Sequence, residues 1–155
     1  MYPDSLTNLQ RREIQAPLAV NLIQEFIRQF GYERAMQAAS AAIQKDAFQA
    51  GQAMAKKFGG NTLQHLLRLV SEVWAGDNAL EFTLLEQSDQ KLNFNVTRCR
   101  YAELYERLGI KEFGYPLSCD RDAFLITGFN PHLRLIRTQT IMQGAPLCDF
   151  RITLE

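Results

Sequence analysis

The sequence lacks net charge, long apolar runs and paired cysteines, and each absence removes a class of function. Its 17 Lys and Arg are balanced by 17 Asp and Glu, so there is no basic footprint for nucleic acid or an anionic membrane. No apolar run reaches the roughly 18 residues that a membrane span requires, and the amino end, MYPDSLTNLQRR, has no signal-peptide core. A cytoplasmic location is the expectation. The three cysteines, Cys99, Cys119 and Cys148, are odd in number and far apart, which argues against a disulfide framework. Without a C-x-x-C pair to fix a tetrahedral chelate, neither metal nor cofactor is expected. A Walker-type GK[ST] loop, G-x-G-x-x-G, H-E-x-x-H and G-x-S-x-G are missing too.

What is present is 155 residues, 46% of them hydrophobic, enough for one domain over 1–155 that buries a core without staples. Leu18, Leu22, Ile23, Phe26, Ile27 and Phe30 form a helical stripe ending at Gly31, with Pro17 beginning or kinking it. A second helix is predicted over about 33–57, rich in Ala for close packing and closed by Gly59-Gly60. Asn61 reads as the cap of a third, with Leu63, Leu66, Leu67, Val70 and Trp74 on one face and His65 on the solvated one. After the AGDN turn the period changes to two: Leu80, Phe82 and Leu84, then Leu92, Phe94 and Val96, alternate with polar residues as an antiparallel hairpin.

Helices follow at about 98–108 and 119–129, and 137–152, RTQTIMQGAPLCDFRI, reads as a terminal hairpin around QGAP. The expected class is α+β: a helical part over about 5–75, then over about 79–155 a mainly antiparallel sheet of about four strands in β-β-α-α-β-β order.

Cys99, between two arginines at a predicted helix start with Thr97 as cap, is placed to favour thiolate; equally, it is a small apolar filler. Cys119, in LSCDRD, stands beside Asp120 and Asp122, which oppose its ionisation while offering a base for water. It too reads either as pocket thiol or as filler. Cys148 falls in phase with Phe150 and Ile152 and belongs to the core, so Asp149 points to the opposite face. His132 sits in the turn GFNPHL and is expected in solvent. Asn93, Asn95, Thr97, Thr138 and Thr140 are short uncharged groups where a wet face would carry Lys and Glu, so this polar face is read as lining a pocket.

Together, NVTRCRYAELYERLG at 95–109, LSCDRDAFLITGFNP at 117–131 and RTQTIMQGAPLCDFRI resemble the L-2-amino-thiazoline-4-carboxylic acid hydrolases. The resemblance implies opening of a cyclic isothiourea to an N-carbamoyl product in bacterial cysteine metabolism. Cys99, Cys119 and Asp122 are then the catalytic candidates, as nucleophile or as base for water. Asn95, Arg98, Thr138, Thr140 and Asp149 are the substrate-binding ones, with Arg98, Arg134 or Arg137 holding the carboxylate. The shape also resembles the 4-vinyl reductase-like domains, which implies a non-catalytic small-molecule binder and a homodimer as a possible assembly. Either way the partner is a small molecule.

Overall fold

Thr7 sets the start of the first helix: its hydroxyl accepts from the Gln10 N–H while the Gln10 side chain accepts from the Thr7 N–H. This reciprocal cap satisfies two free donors. In the computed structural model, which describes residues 5–155, helix α1 therefore spans Asn8–Phe30 with Pro17 inside it, so the proline does not begin the helix. The amino-terminal stretch quoted above starts in residues 1–4, outside the described residues. Among the described residues no helix is long and apolar enough to cross a membrane. Leu9, Ala16, Val20 and Ile23 are the buried face of α1, whereas Leu18, Leu22, Phe26 and Phe30 are exposed. Of the apolar row read from the sequence, only Ile23 and the half-buried Ile27 face inward.

Helix α2, Tyr32–Phe58, ends on Gly59, whose φ of 73° suits the left-handed cap. Helix α3 covers Leu63–Leu69 and runs on as one π-helical turn, Val70–Trp74. Its cap is Thr62 rather than Asn61: the Thr62 hydroxyl accepts from the His65 N–H and lies 2.7 Å from His65 Nδ1. His65, expected in solvent, is half-buried, with its ring against Gly60; His132 is exposed as expected.

Strands β1 (Leu80–Gln87), β2 (Lys91–Cys99), β3 (Leu133–Ile136) and β4 (Cys148–Leu154) form one antiparallel sheet in the order β1-β2-β4-β3. Helices α4 (Arg100–Arg107) and α5 (Arg121–Phe129) separate the two strand pairs in the chain, as the α+β reading expected. Leu92, Phe94 and Val96 pair with Ile152, Phe150 and Cys148, all buried, and the Phe94 and Phe150 rings stack at 4.6 Å. This sheet face packs with α3 and α5 into the main core, while α1 and α4 hold a second cluster around Tyr101, Leu104 and Tyr105. The candidate site lies where the two clusters meet.

The terminal hairpin differs from its sequence reading. Strand β3 stops at Ile136, opposite Arg151, and residues 137–147 form no ladder. The reason is Asp149, whose carboxylate accepts from the N–H groups of Thr138 and Gln139, both at 2.9 Å, and from the Thr138 hydroxyl at 2.6 Å. A side chain thereby satisfies the donors a strand partner would have taken. Thr140 then caps a 3₁₀ turn, Ile141–Gln143, closed by Gly144 at φ 97°. Thr97, expected to cap α4, is instead in β2 and donates to the Glu81 carbonyl.

Candidate functional site

Beyond β3 the chain turns inward and carries Arg137 with it, leaving its side chain only 8% exposed. There Arg137 Nη1 donates to the Asp122 carboxylate at 2.5 Å, Nη2 donates to the Cys119 carbonyl at 2.9 Å, and the guanidinium lies 5.0 Å from the Phe150 ring centre. Asp122, in the first turn of α5, is thus held at a fixed angle. Burial raises its pKa above the usual aspartate value, and the opposing pull of Arg137 only partly offsets this. Burial likewise works against the Arg137 charge, but the attraction and hydrogen bond of Asp122 outweigh it and raise its pKa.

Around this pair lies a cavity of about 60 Å³, lined by Trp74, Cys99, Tyr101, Cys119 and Cys148 and by two further arginines, Arg12 and Arg121. At roughly 10–15 Å³ per water it has room for a handful of waters. A second hollow of about 160 Å³ shares the walls formed by Arg12, Trp74, Arg121 and Leu125. The Tyr101 hydroxyl, in the wall of the first, is fixed by donating to the Trp74 carbonyl and accepting from Asn8 Nδ2, each at 2.9 Å. Among the described residues no group of three or more His, Cys, Asp and Glu side chains comes together to hold a metal ion.

The three catalytic candidates, Cys99, Cys119 and Asp122, all line this cavity. The thiols, however, are not activated. Cys99 occupies the N-cap of α4, but Arg98 is paired with Glu81 and Glu103 and Arg100 donates to the Asp77 carbonyl. Burial pushes the Cys99 thiol up to about 11. Burial, then the neighbouring Asp122 charge, raises Cys119 above the usual thiol range, and burial also raises Cys148. Of the two readings left open for Cys99, thiolate or apolar filler, burial favours the protonated thiol, because desolvation outweighs a single helix end. Iodoacetamide at neutral pH should accordingly label all three slowly in the native protein, with full labelling only after denaturation; rapid native labelling of Cys99 or Cys119 would restore the thiolate.

The five substrate-binding candidates lie elsewhere. Asn95 and Asp149 are on the sheet face opposite the core, where Asn95 Oδ1 accepts from Arg151 and Asp149 ties down the loop that carries Thr138. Arg98 is exposed in its two ion pairs, and the buried Thr140 hydroxyl caps its own turn. None of these lines the cavity. Asp120 accepts from Gln44, and Arg134 pairs with Glu155 at the end of the chain.

Two cavity residues escaped the sequence reading although a signal existed. Arg12 follows Leu9 by three positions and precedes Ala16 by four, which puts a charge in the buried stripe of α1. Arg121 precedes Leu125 and Phe129 in the same way on α5. A charge in an apolar stripe is the pattern that marks them.

The cavity therefore brings a raised-pKa carboxylate, fixed guanidinium groups and neutral thiols around a small volume, a set suited to proton abstraction beside an anionic ligand. Residues 11–152 match the family described as L-2-amino-thiazoline-4-carboxylic acid hydrolase. No curated protein matches the chain. Among solved structures, the phenol-responsive sensory domain of the transcription activator PoxR with phenol is similar at a TM-score of 0.55 and 12% identity, over 90% of this chain and 73% of that one. A trafficking protein particle complex subunit 3 from Naegleria fowleri, covalently bound to palmitic acid, is similar at 0.58 and 11%, over 94% and 95%. At these identities the likeness is one of fold.

Proposed function

The chain belongs to the L-2-amino-thiazoline-4-carboxylic acid hydrolase family, and from that membership we propose that it hydrolyses a small cyclic isothiourea carboxylate in the Asp122–Arg137 cavity. The observation that carries this reading is the Asp122 carboxylate pinned by Arg137 in the cavity wall, where burial also raises its pKa. Asp122 takes a proton from water as the water oxygen bonds to the ring carbon between nitrogen and sulfur. Asp122 hands that proton to the ring nitrogen; the carbon–sulfur bond then breaks as the hydroxyl becomes the carbonyl, and the hydroxyl proton passes by way of Asp122 to the sulfur, which leaves with the bond's electron pair, giving an N-carbamoyl thiol. With all three cysteines protonated, water rather than a thiol is the nucleophile in this reading.

A second reading, a ligand-binding module without catalysis, is favoured by the fold shared with a phenol-responsive domain. A long acyl chain such as the one in the trafficking subunit does not suit a cavity of about 60 Å³. The two readings part in one assay: incubation with L-2-amino-thiazoline-4-carboxylate while free thiol is followed with a thiol reagent. Enzyme-dependent thiol release is the expected result. Saturable binding without release would leave the binder.

A further inference from the structure

Two guanidinium groups in the cavity wall are only partly satisfied. Arg12 makes one side-chain hydrogen bond, from Nη1 to Gln15 Oε1 at 2.7 Å, and pairs with no carboxylate among the described residues. Arg121 is 9% exposed; its Nη2 meets Asp46 at 2.6 Å, but Asp46 is itself 67% exposed and Arg121 Nε is buried without a partner. Both arginines border the cavity and the hollow beside it. Burial, then the Arg121 charge, pulls the Arg12 pKa down, so the two cations repel each other. An orphaned buried donor and an unpaired cation cost stability, and such groups persist where a ligand completes them.

We propose that Arg12 and Arg121 form the clamp for the carboxylate of the ligand, placing its ring toward Asp122. The clamp rests on the reading of this cavity as the substrate site. Arg137 is the wrong arginine for the task, since Asp122, the Cys119 carbonyl and the Phe150 ring already occupy it. Arg12 and Arg121 keep free N–H groups, and a carboxylate between them meets two planar donors at once. Their placement also puts a negative ligand beside one cation that pairs with no carboxylate among the described residues and a second whose carboxylate partner is exposed.

The test uses probes that cannot undergo the hydrolysis: L-thiazolidine-4-carboxylate, which has the ring and the acid but no amidine carbon, and its neutral carboxamide. Titration calorimetry on the wild-type protein should show the acid binding at least about tenfold more tightly than the amide. Arg12→Met should abolish most of that preference while melting no lower than wild type without ligand, because the charge removed had no carboxylate partner. Arg121→Met should also lose the preference. Equal binding of acid and amide by wild type, no binding of either, or an Arg12→Met protein that keeps the preference would overturn the clamp. Thiol release without an acid preference would sink the clamp and leave the hydrolase reading. An arginine-dependent acid preference without thiol release would do the reverse.

Discussion

Gly128→Ala should lower the melting temperature by about 6–12 °C, the shift expected in a chain of this size for a loss of about 3 kcal/mol. Helices α2 and α5 cross with their backbones in contact: a methyl group on Gly128 would collide with the Phe48 carbonyl, and one on Gly51 with the Leu125 carbonyl. Alanine is the better helix former by up to about 1 kcal/mol, but a main-chain carbonyl cannot swing aside as a side chain can. The helices must separate, and α5 carries Arg121 and Asp122 with it. Gly114→Ala is the control, because there the added methyl meets only the flexible end of Met142. Thermal unfolding followed by circular dichroism should rank Gly128→Ala well below Gly114→Ala. Equal melting of the two would mean that the crossing is looser than described.

That crossing was half legible in the sequence. The alanines of α2 announced close packing, but which helix would approach was a matter of tertiary structure. Strands β2 and β4 were legible because one face of each is buried, and burial of Leu92, Phe94 and Val96 against Cys148, Phe150 and Ile152 enforces the period of two. The stretch 137–147 was not, since its backbone donors are satisfied by the Asp149 carboxylate, a contact that no periodicity encodes. The same event sends Arg137 inward to Asp122. Short polar residues on the outer sheet face read as a pocket lining for want of Lys and Glu, yet there Asn95 and Arg151 satisfy one another. Cys99, Cys119 and Asp122 were singled out from their chemistry and line one cavity, whereas the choice between thiolate and filler could not be made from sequence. The helix-end effect is visible in sequence; the desolvation that outweighs it appears only once the chain has closed over them. Arg12 was overlooked because two consecutive arginines look like surface, although only its place in the Leu9, Ala16, Val20 and Ile23 stripe matters.

Asp122→Asn should lower kcat on L-2-amino-thiazoline-4-carboxylate by about 10²–10⁴-fold, the usual worth of a positioned general base. Asparagine keeps a carbonyl acceptor for Arg137 but cannot take a proton, so the substitution separates holding from catalysis. In the wild type a single group then governs two pH dependences of opposite sign. A base works when deprotonated, so kcat/KM should climb as pH rises through the raised pKa of Asp122, with its acid limb above the ordinary aspartate range. Stability runs the other way. The folded pKa lies above the unfolded one, so the contribution of Asp122 to stability is complete below the unfolded value and is lost as pH rises through the folded value. The Asp122→Asn protein should lack that decline and show a flatter melting temperature over the same interval. Activity within about threefold of wild type in Asp122→Asn, well inside the smallest effect expected of a lost base, would remove Asp122 from the chemistry and return the cavity to the role of a binding site.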